Sequence, residues 1–148
     1  MNKPICPDVF GVEFGRELVE YLGGDASIIE DDDCWKEFGK KFPELIEPAM
    51  RYFENATTGN PARAATNLVH FCGASLERAM RVCENAATGD PAWAAYWLVS
   101  NCGAPVEWAM RICEQAETGS PSWAAYWLVS ECRASVEWYN ELKIKRGW

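Results

Sequence analysis

The chain has 148 residues, of which 49% are hydrophobic and 24% charged, and it carries a formal net charge of −8. This length and balance are typical of a single folded domain and exclude an intrinsically disordered chain. The negative charge argues against direct binding to nucleic acid or to an anionic membrane, because phosphate groups would repel the protein.

The N-terminal third is predicted to hold one helix and an acidic linker. Residues 8–22 favour a helix that is closed by Gly23 and Gly24 and caps the helices after it. Asp31, Asp32 and Asp33 follow as an acidic surface, which suits the N-terminus of a helix. The chain shows no signal-peptide run and no stretch of about 20 apolar residues, so we expect a soluble cytoplasmic protein without membrane contact.

A thirty-residue repeat runs through most of the remaining sequence. Residues 79–108 and 109–138 are identical at 22 of 30 positions, and residues 49–78 match residues 79–108 at 18 of 30, without gaps. Residues 32–58 keep the pattern weakly and are predicted to form a degenerate first unit. A period of this length is typical of stacked helix pairs, in which each unit buries its apolar face against its neighbours.

Each unit is predicted to contain two antiparallel helices, here called A and B. Helix A is expected at 61–72, 91–102 and 121–132, where proline follows an N-capping residue. Helix B is expected to open at Ser75, Pro105 or Ser135 and to reach Thr88 or Thr118. The next glycine (Gly59, Gly89 or Gly119) is predicted to end helix B in the left-handed conformation. Because only two residues separate A from B, the two helices should be antiparallel neighbours.

These elements predict an all-α fold, specifically a right-handed α-solenoid of antiparallel helix pairs with about nine helices and an N-terminal capping helix. Residues 1–31 are assigned to the capping helix and acidic linker. Residues 32–148 are assigned to the repeats, with units at about 32–60, 61–90, 91–120 and 121–148, and all of them belong to one domain.

Helix A is predicted to hold its aromatic residues away from its aliphatic face. At about 100° per residue, Ala94, Ala95 and Leu98 share the side that packs on helix B, whereas Trp93 and Tyr96 lie on the other side. The first full unit has polar residues at these aromatic positions, which indicates that the rings are not needed to fold a unit. The predicted partner-binding residues are Arg63, His70, Trp93, Tyr96, Trp97, Trp123, Tyr126 and Trp127.

A structural alternative applies to the same rings. In an array, each helix A touches neighbours on both sides, so Tyr96 and Trp97 are also candidates for filling the gaps between adjacent A helices. On helix B, Trp108 is predicted to lie outside the inward stripe that Val106, Ala109 and Met110 form. The sequence leaves open whether the aromatic face is a groove, a ridge or a packed joint.

The stretch AETGSPSWAAYWLVSECRASVEW is similar to Sel1-like and tetratricopeptide repeats, with small residues flanking a helix-ending glycine and an Ala/Leu packing face. Those repeats are longer than thirty residues, and the spacing from glycine to leucine is one residue longer than in Sel1-like repeats. A short HEAT-like array fits the period about as well. The resemblance covers residues 49–138 and implies a protein-binding scaffold, without identifying a specific family or any binding residue.

The sequence contains no motif that would indicate an enzyme. Five cysteines at spacings of 11 and 19 follow the repeat and are predicted to be reduced core residues. With a single histidine and no C-x-x-C, we expect no metal site, no cofactor and no catalytic residue.

The predicted function is therefore non-enzymatic binding of a protein or peptide through the aromatic face of the A helices. One alternative is an acidic inhibitor of the phage anti-defence type, which mimics nucleic acid and blocks a basic groove on its target. Binding of a small ligand, such as a sugar or a quaternary ammonium group, and homo-oligomer formation through the same face are further alternatives.

Overall fold

The computed structural model describes residue 36, residues 39–40, residues 43–56 and residues 60–148. This part of the chain forms seven α-helices, preceded by one short 3-10 helix at Pro43–Leu45, and contains no strand. The helices are α1 (Ile46–Glu54), α2 (Pro61–Cys72), α3 (Leu76–Asn85), α4 (Pro91–Cys102), α5 (Val106–Gln115), α6 (Pro121–Cys132) and α7 (Val136–Arg146). The all-α prediction is confirmed.

Several predicted features lie outside the described residues. They are the capping helix at residues 8–22, the acidic residues Asp31, Asp32 and Asp33, and Gly59. The structure therefore tests the repeats from the second half of the degenerate unit onward.

The three A helices, α2, α4 and α6, begin and end at the predicted residues. The side chain of Asn60 accepts a hydrogen bond from the Arg63 amide at 3.3 Å, and Asp90 accepts one from the Trp93 amide at 3.1 Å. Proline occupies the first turn of each A helix, where no intrahelical donor is required. A side-chain cap and proline thus mark the start of α2 and α4, whereas Ser120 makes no capping hydrogen bond and proline alone marks the start of α6.

Each A helix ends in a residue with left-handed backbone. Gly73 and Gly103 have φ values of 73° and 81°, and Arg133 takes the same position in the third unit with φ 65°. The amide of the next residue, an alanine in each case, then donates to a leucine carbonyl six residues back, at 3.0 to 3.1 Å. This is the Schellman arrangement, which pairs carbonyls that a helix end leaves unpaired.

Replacing Arg133 by glycine is expected to stabilise the protein by about 1 kcal/mol, because a left-handed backbone strains a residue that carries a Cβ atom. Urea unfolding monitored by circular dichroism measures this change. Arg133→Ala is the matched control, since alanine keeps the Cβ atom and should bring no such gain. A loss of stability in Arg133→Gly would contradict the prediction.

The B helices α3 and α5 are three residues shorter than predicted. They end at Asn85 and Gln115, because Ala86 and Ala116 adopt extended backbone with ψ values of 126° and 129°. Gly89 and Gly119 do have positive φ, as predicted, but they lie in the loop beyond the helix end. Their role is a different one: a Cβ atom at either glycine would collide with the N-capping residue of the preceding unit.

The A helices pack side by side, with α4 between α2 and α6. The B helices α3 and α5 each contact the A helix before and the A helix after them. The contacts are made by small residues and leucine: Ala64, Ala65, Ala94, Ala95, Ala124, Ala125, Leu68, Leu98 and Leu128 are buried. Alanine permits close helix approach, so the large aromatic rings of the A helices are held on other sides of the helix.

Candidate interaction surface

Six aromatic residues on α4 and α6 form what is here called the aromatic surface: Trp93, Tyr96, Trp97, Trp123, Tyr126 and Trp127. Three of them are exposed, with exposed fractions of 39% for Trp97, 61% for Trp123 and 46% for Tyr126. The other three are half-buried. The surface therefore combines exposed rings with rings that pack against the core.

Five of these rings form a continuous chain across two helices. The centroids of Trp93 and Tyr96 are 5.1 Å apart, and Tyr96 reaches Trp127 on α6 at 6.5 Å. Trp127 contacts Tyr126 at 5.4 Å, and Tyr126 contacts Trp123 at 6.5 Å. Each separation lies within the range of favourable edge-to-face or tilted ring contacts. Tyr96 and Trp127 thus do fill the joint between α4 and α6, whereas Trp123 and Tyr126 extend the chain into solvent.

The polar residues predicted for this surface lie on α2, at the edge nearest Trp97. The imidazole of His70 is exposed, and its centroid is 6.4 Å from that of Trp97. A cavity of about 40 Å³ between α2 and α4 is lined by both predicted polar residues, Arg63 and His70, together with Trp93 and Trp97. The structure therefore brings the eight predicted partner-binding residues onto three adjacent A helices.

Thr66, which stands at the position of Tyr96, plays a different part from its aromatic counterpart. It is buried, and its hydroxyl donates to the Ala62 carbonyl at 2.9 Å within α2. This hydroxyl is engaged inside the helix rather than presented to a ligand.

The B helices are connected by a ladder that the sequence interpretation missed. Trp108 was predicted to lie outside the inward stripe, but it is only 5% exposed, and its indole N–H donates to Glu84 at 2.8 Å. Trp138 donates to Glu114 at the same distance. One unit upstream, Arg78 occupies the equivalent position and pairs with Glu54 and Glu47. The prediction for Trp108 is wrong because the face that looks outward on an isolated hairpin meets the preceding B helix, α3, which carries Glu84.

A signal for this ladder is present in the sequence. Glutamate recurs every thirty residues at Glu54, Glu84 and Glu114, each of them 24 residues ahead of the donor. This recurrence, with a side chain that carries an N–H donor 24 residues later in each unit, is the signal that indicates contact between units.

A second ladder connects the loops that precede the A helices. The Asn60 side-chain oxygen accepts a hydrogen bond from the Asp90 amide at 3.2 Å, and the Ser120 hydroxyl donates to the Asp90 carboxylate. Asn60 and Asp90 thus cap their own helices, and the bonds among the three residues also hold successive units in register.

The cysteines of the described residues are thiols, and none of them forms a disulfide. Desolvation by burial raises the pKa of Cys113 to about 12 and that of Cys72 to about 11, and it also raises the pKa values of Cys83, Cys102 and Cys132. Burial therefore keeps these groups protonated near neutral pH, and the thiolate, which is the nucleophilic form, is disfavoured.

In the part of the chain that the structure describes, no three His, Cys, Asp or Glu side chains are grouped so that they could hold a metal ion. Among the same residues, no helix has the length and apolar character needed to cross a membrane.

Comparison of the chain with known protein families, curated proteins and solved structures finds no match.

Proposed function

We propose that the protein is a non-enzymatic helical-repeat scaffold that binds a protein or peptide partner through the aromatic surface. The observation that supports this function most directly is the exposure of Trp97, Trp123 and Tyr126 beside rings that are already packed. In this proposal, the helix pairs form a right-handed α-solenoid that residues 1–31 cap, and the protein acts in the cytoplasm.

Exposed rings of this kind suit partner binding for two physical reasons. Tryptophan and tyrosine bury a large area on contact, and they are enriched among the residues that contribute most to binding energy. Neighbouring rings also restrict one another: Tyr126 contacts Trp127 at 5.4 Å, so less side-chain entropy is lost when a partner orders the surface.

The partner expected from this chemistry presents apolar or aromatic side chains to α4 and α6, with polar or acidic groups toward α2. The α2 edge carries Arg63 and His70 at the small cavity, and these side chains can donate hydrogen bonds to a carboxylate or a carbonyl. The aromatic surface supplies the affinity in this arrangement, and the α2 edge fixes the orientation of the partner.

A double substitution tests the proposal without relying on residues that hold the core. Trp97→Asn and Trp123→Arg introduce the residues that the chain itself carries one or two units upstream, at Asn67 and Arg63. Affinity for the captured partner should fall by roughly 2 to 4 kcal/mol if both rings are binding hot spots, as measured by calorimetry. The partner is first captured from source-cell lysate with the wild-type protein.

The matched control is Val136→Ser with Ile144→Ser. Both residues are exposed, and both lie on α7 and outside the aromatic surface. This variant should retain the partner. Light scattering that compares both double variants with the wild-type protein shows whether the aromatic surface or the exposed residues of α7 mediate self-association. An unchanged affinity in Trp97→Asn/Trp123→Arg would overturn the proposal.

Salt dependence separates the proposed function from the alternative of an acidic nucleic-acid mimic. Binding through aromatic rings should persist at high ionic strength, whereas binding through acidic residues should weaken steeply. A partner that the aromatic variant retains and that high salt removes would place the function on the acidic residues, with Asp31, Asp32 and Asp33 as the first candidates.

A further inference from the structure

The C-terminal end of helix α5 is covered by an arginine from the last helix. The guanidinium group of Arg146 donates to the carbonyl oxygens of Cys113 at 2.7 Å, Glu114 at 3.3 Å and Ala116 at 2.6 Å. The indole of Trp148 lies over the same group, with 5.2 Å between the guanidinium carbon and the ring centroid. Three carbonyls at the negative end of a helix dipole thus form a site that holds a planar cation.

The equivalent residues lie one unit upstream, at the end of α3, and the described residues that line the cavity beside them include no arginine. The residues thirty positions before Cys113, Glu114 and Ala116 are Cys83, Glu84 and Ala86, and they line a cavity of about 300 Å³. Ala116 and Thr118, which also line this cavity, take the repeat positions of Arg146 and Trp148.

The cavity is open because these two repeat positions carry smaller side chains than in the downstream unit. A methyl group and a small hydroxyl side chain stand where the downstream unit has a guanidinium and an indole. Since a water molecule occupies about 30 Å³ in the liquid, the cavity has room for a guanidinium group and part of an alkyl stem. Ile112 and Pro91 contribute apolar wall, which suits the methylene groups of such a stem.

The charge around the cavity matches a cation. Glu84 and Glu117 are both among its lining residues. The Glu84 carboxylate is held by the Trp108 indole N–H, just as the Glu114 carboxylate is held by that of Trp138 beside Arg146. The cavity therefore combines a helix C-terminus with two carboxylates, in a chain whose net charge is −8.

We propose that this cavity is a binding site for a guanidinium group, which the carbonyls of Cys83, Glu84 and Ala86 hold as their downstream counterparts hold Arg146. The source of the guanidinium is either an arginine side chain of a polypeptide or a small guanidino compound. The site is separate from the aromatic surface and does not depend on the function proposed for that surface.

The test is a titration of the full-length, uniformly 15N-labelled protein with N-acetyl-arginine amide, followed by NMR. Saturable shifts are expected at the amides of Ala86, Ala87 and Ala116 at concentrations up to about 10 mM, which is the range for a single small group. N-acetyl-citrulline amide has nearly the same shape but no charge, and it should leave these amides unshifted. Equal shifts with citrulline, or none with arginine, would overturn the proposal.

Arg146→Ala is the internal control for this titration. It removes the guanidinium from the downstream site, so the arginine derivative should then also shift the amides of Cys113 and Glu114, which do not report on the upstream cavity. If the probe restores the downstream site in this variant but leaves Ala86 and Ala87 unshifted, the assay works and the proposal is wrong.

The two sources are separated by comparing free L-arginine with the peptide Gly-Arg-Gly in the same titration. Tighter binding of the peptide, by about fivefold or more, would support a polypeptide arginine as the ligand. Tighter binding of free L-arginine would support a small guanidino compound.

Discussion

Replacing Trp108 by alanine is expected to lower the free energy of unfolding by about 3 to 5 kcal/mol, the range found when large buried aromatic residues are truncated. The indole is only 5% exposed, and its N–H donates to Glu84 on the preceding B helix. The substitution therefore leaves a cavity and also removes a contact between two units. Urea denaturation followed by circular dichroism measures the change.

Two matched variants divide this effect into its parts. Trp108→Phe keeps most of the ring but loses the N–H donor, so it should cost about 1 kcal/mol for the hydrogen bond in addition to a smaller packing loss. Trp138→Ala removes an indole with the same 2.8 Å hydrogen bond but only partial burial, and it should cost less than Trp108→Ala. Equal losses at Trp108 and Trp138 would contradict the view that burial between units dominates.

Gly119→Ala is expected to destabilise the protein by roughly 2 to 5 kcal/mol, combining backbone strain with a steric collision. Gly119 has φ 81°, and a Cβ atom built there would lie 2.6 Å from the Cα atom of Asp90 and 2.5 Å from its side-chain carbon. Because part of the obstacle is backbone, side-chain rotation alone does not relieve the collision, and the loops of two units must separate.

The control for this prediction is Gly103→Ala. Gly103 has the same φ of 81°, but a Cβ atom there would meet nothing within 4 Å, so only the backbone cost of about 1 to 2 kcal/mol applies. Thermal unfolding of the two variants isolates the cost of the contact between loops. If Gly119→Ala and Gly103→Ala lose the same stability, the close approach to Asp90 is not important for stability.

Both predictions concern the junctions between successive units, and so does the proposed guanidinium site. Along the array, one B-helix position holds Arg78, Trp108 or Trp138, and each reaches a glutamate one unit upstream. The junctions are therefore similar in geometry but not in chemistry. Variation at one repeat position, from Ala116 to Arg146, leaves a cavity at one junction and closes the next one.

The sequence by itself determined the local structure of the repeats. Asn60 and Asp90, each followed by proline, place the start of helix A, because capping depends on residues only a few positions apart, and the repeat pattern places its end at Cys72 and Cys102. The same local patterns predict which alanines and leucines face the core. The end of helix B is harder to predict. The helix stops at Asn85 because the next residue, an alanine, adopts extended backbone, and alanine has no distinctive turn chemistry.

Only the tertiary structure decided which of the remaining side chains are covered. Trp108 is buried while Trp123, also at a repeated position, is 61% exposed, because burial depends on the neighbouring unit and not on the helix that carries the residue. Hydrogen bonds over 24 and 30 residues, and the cavity at the end of α3, arise for the same reason. Periodicity assigns a residue to one side of its helix, but the packing of other helices decides whether that side is core, joint or surface.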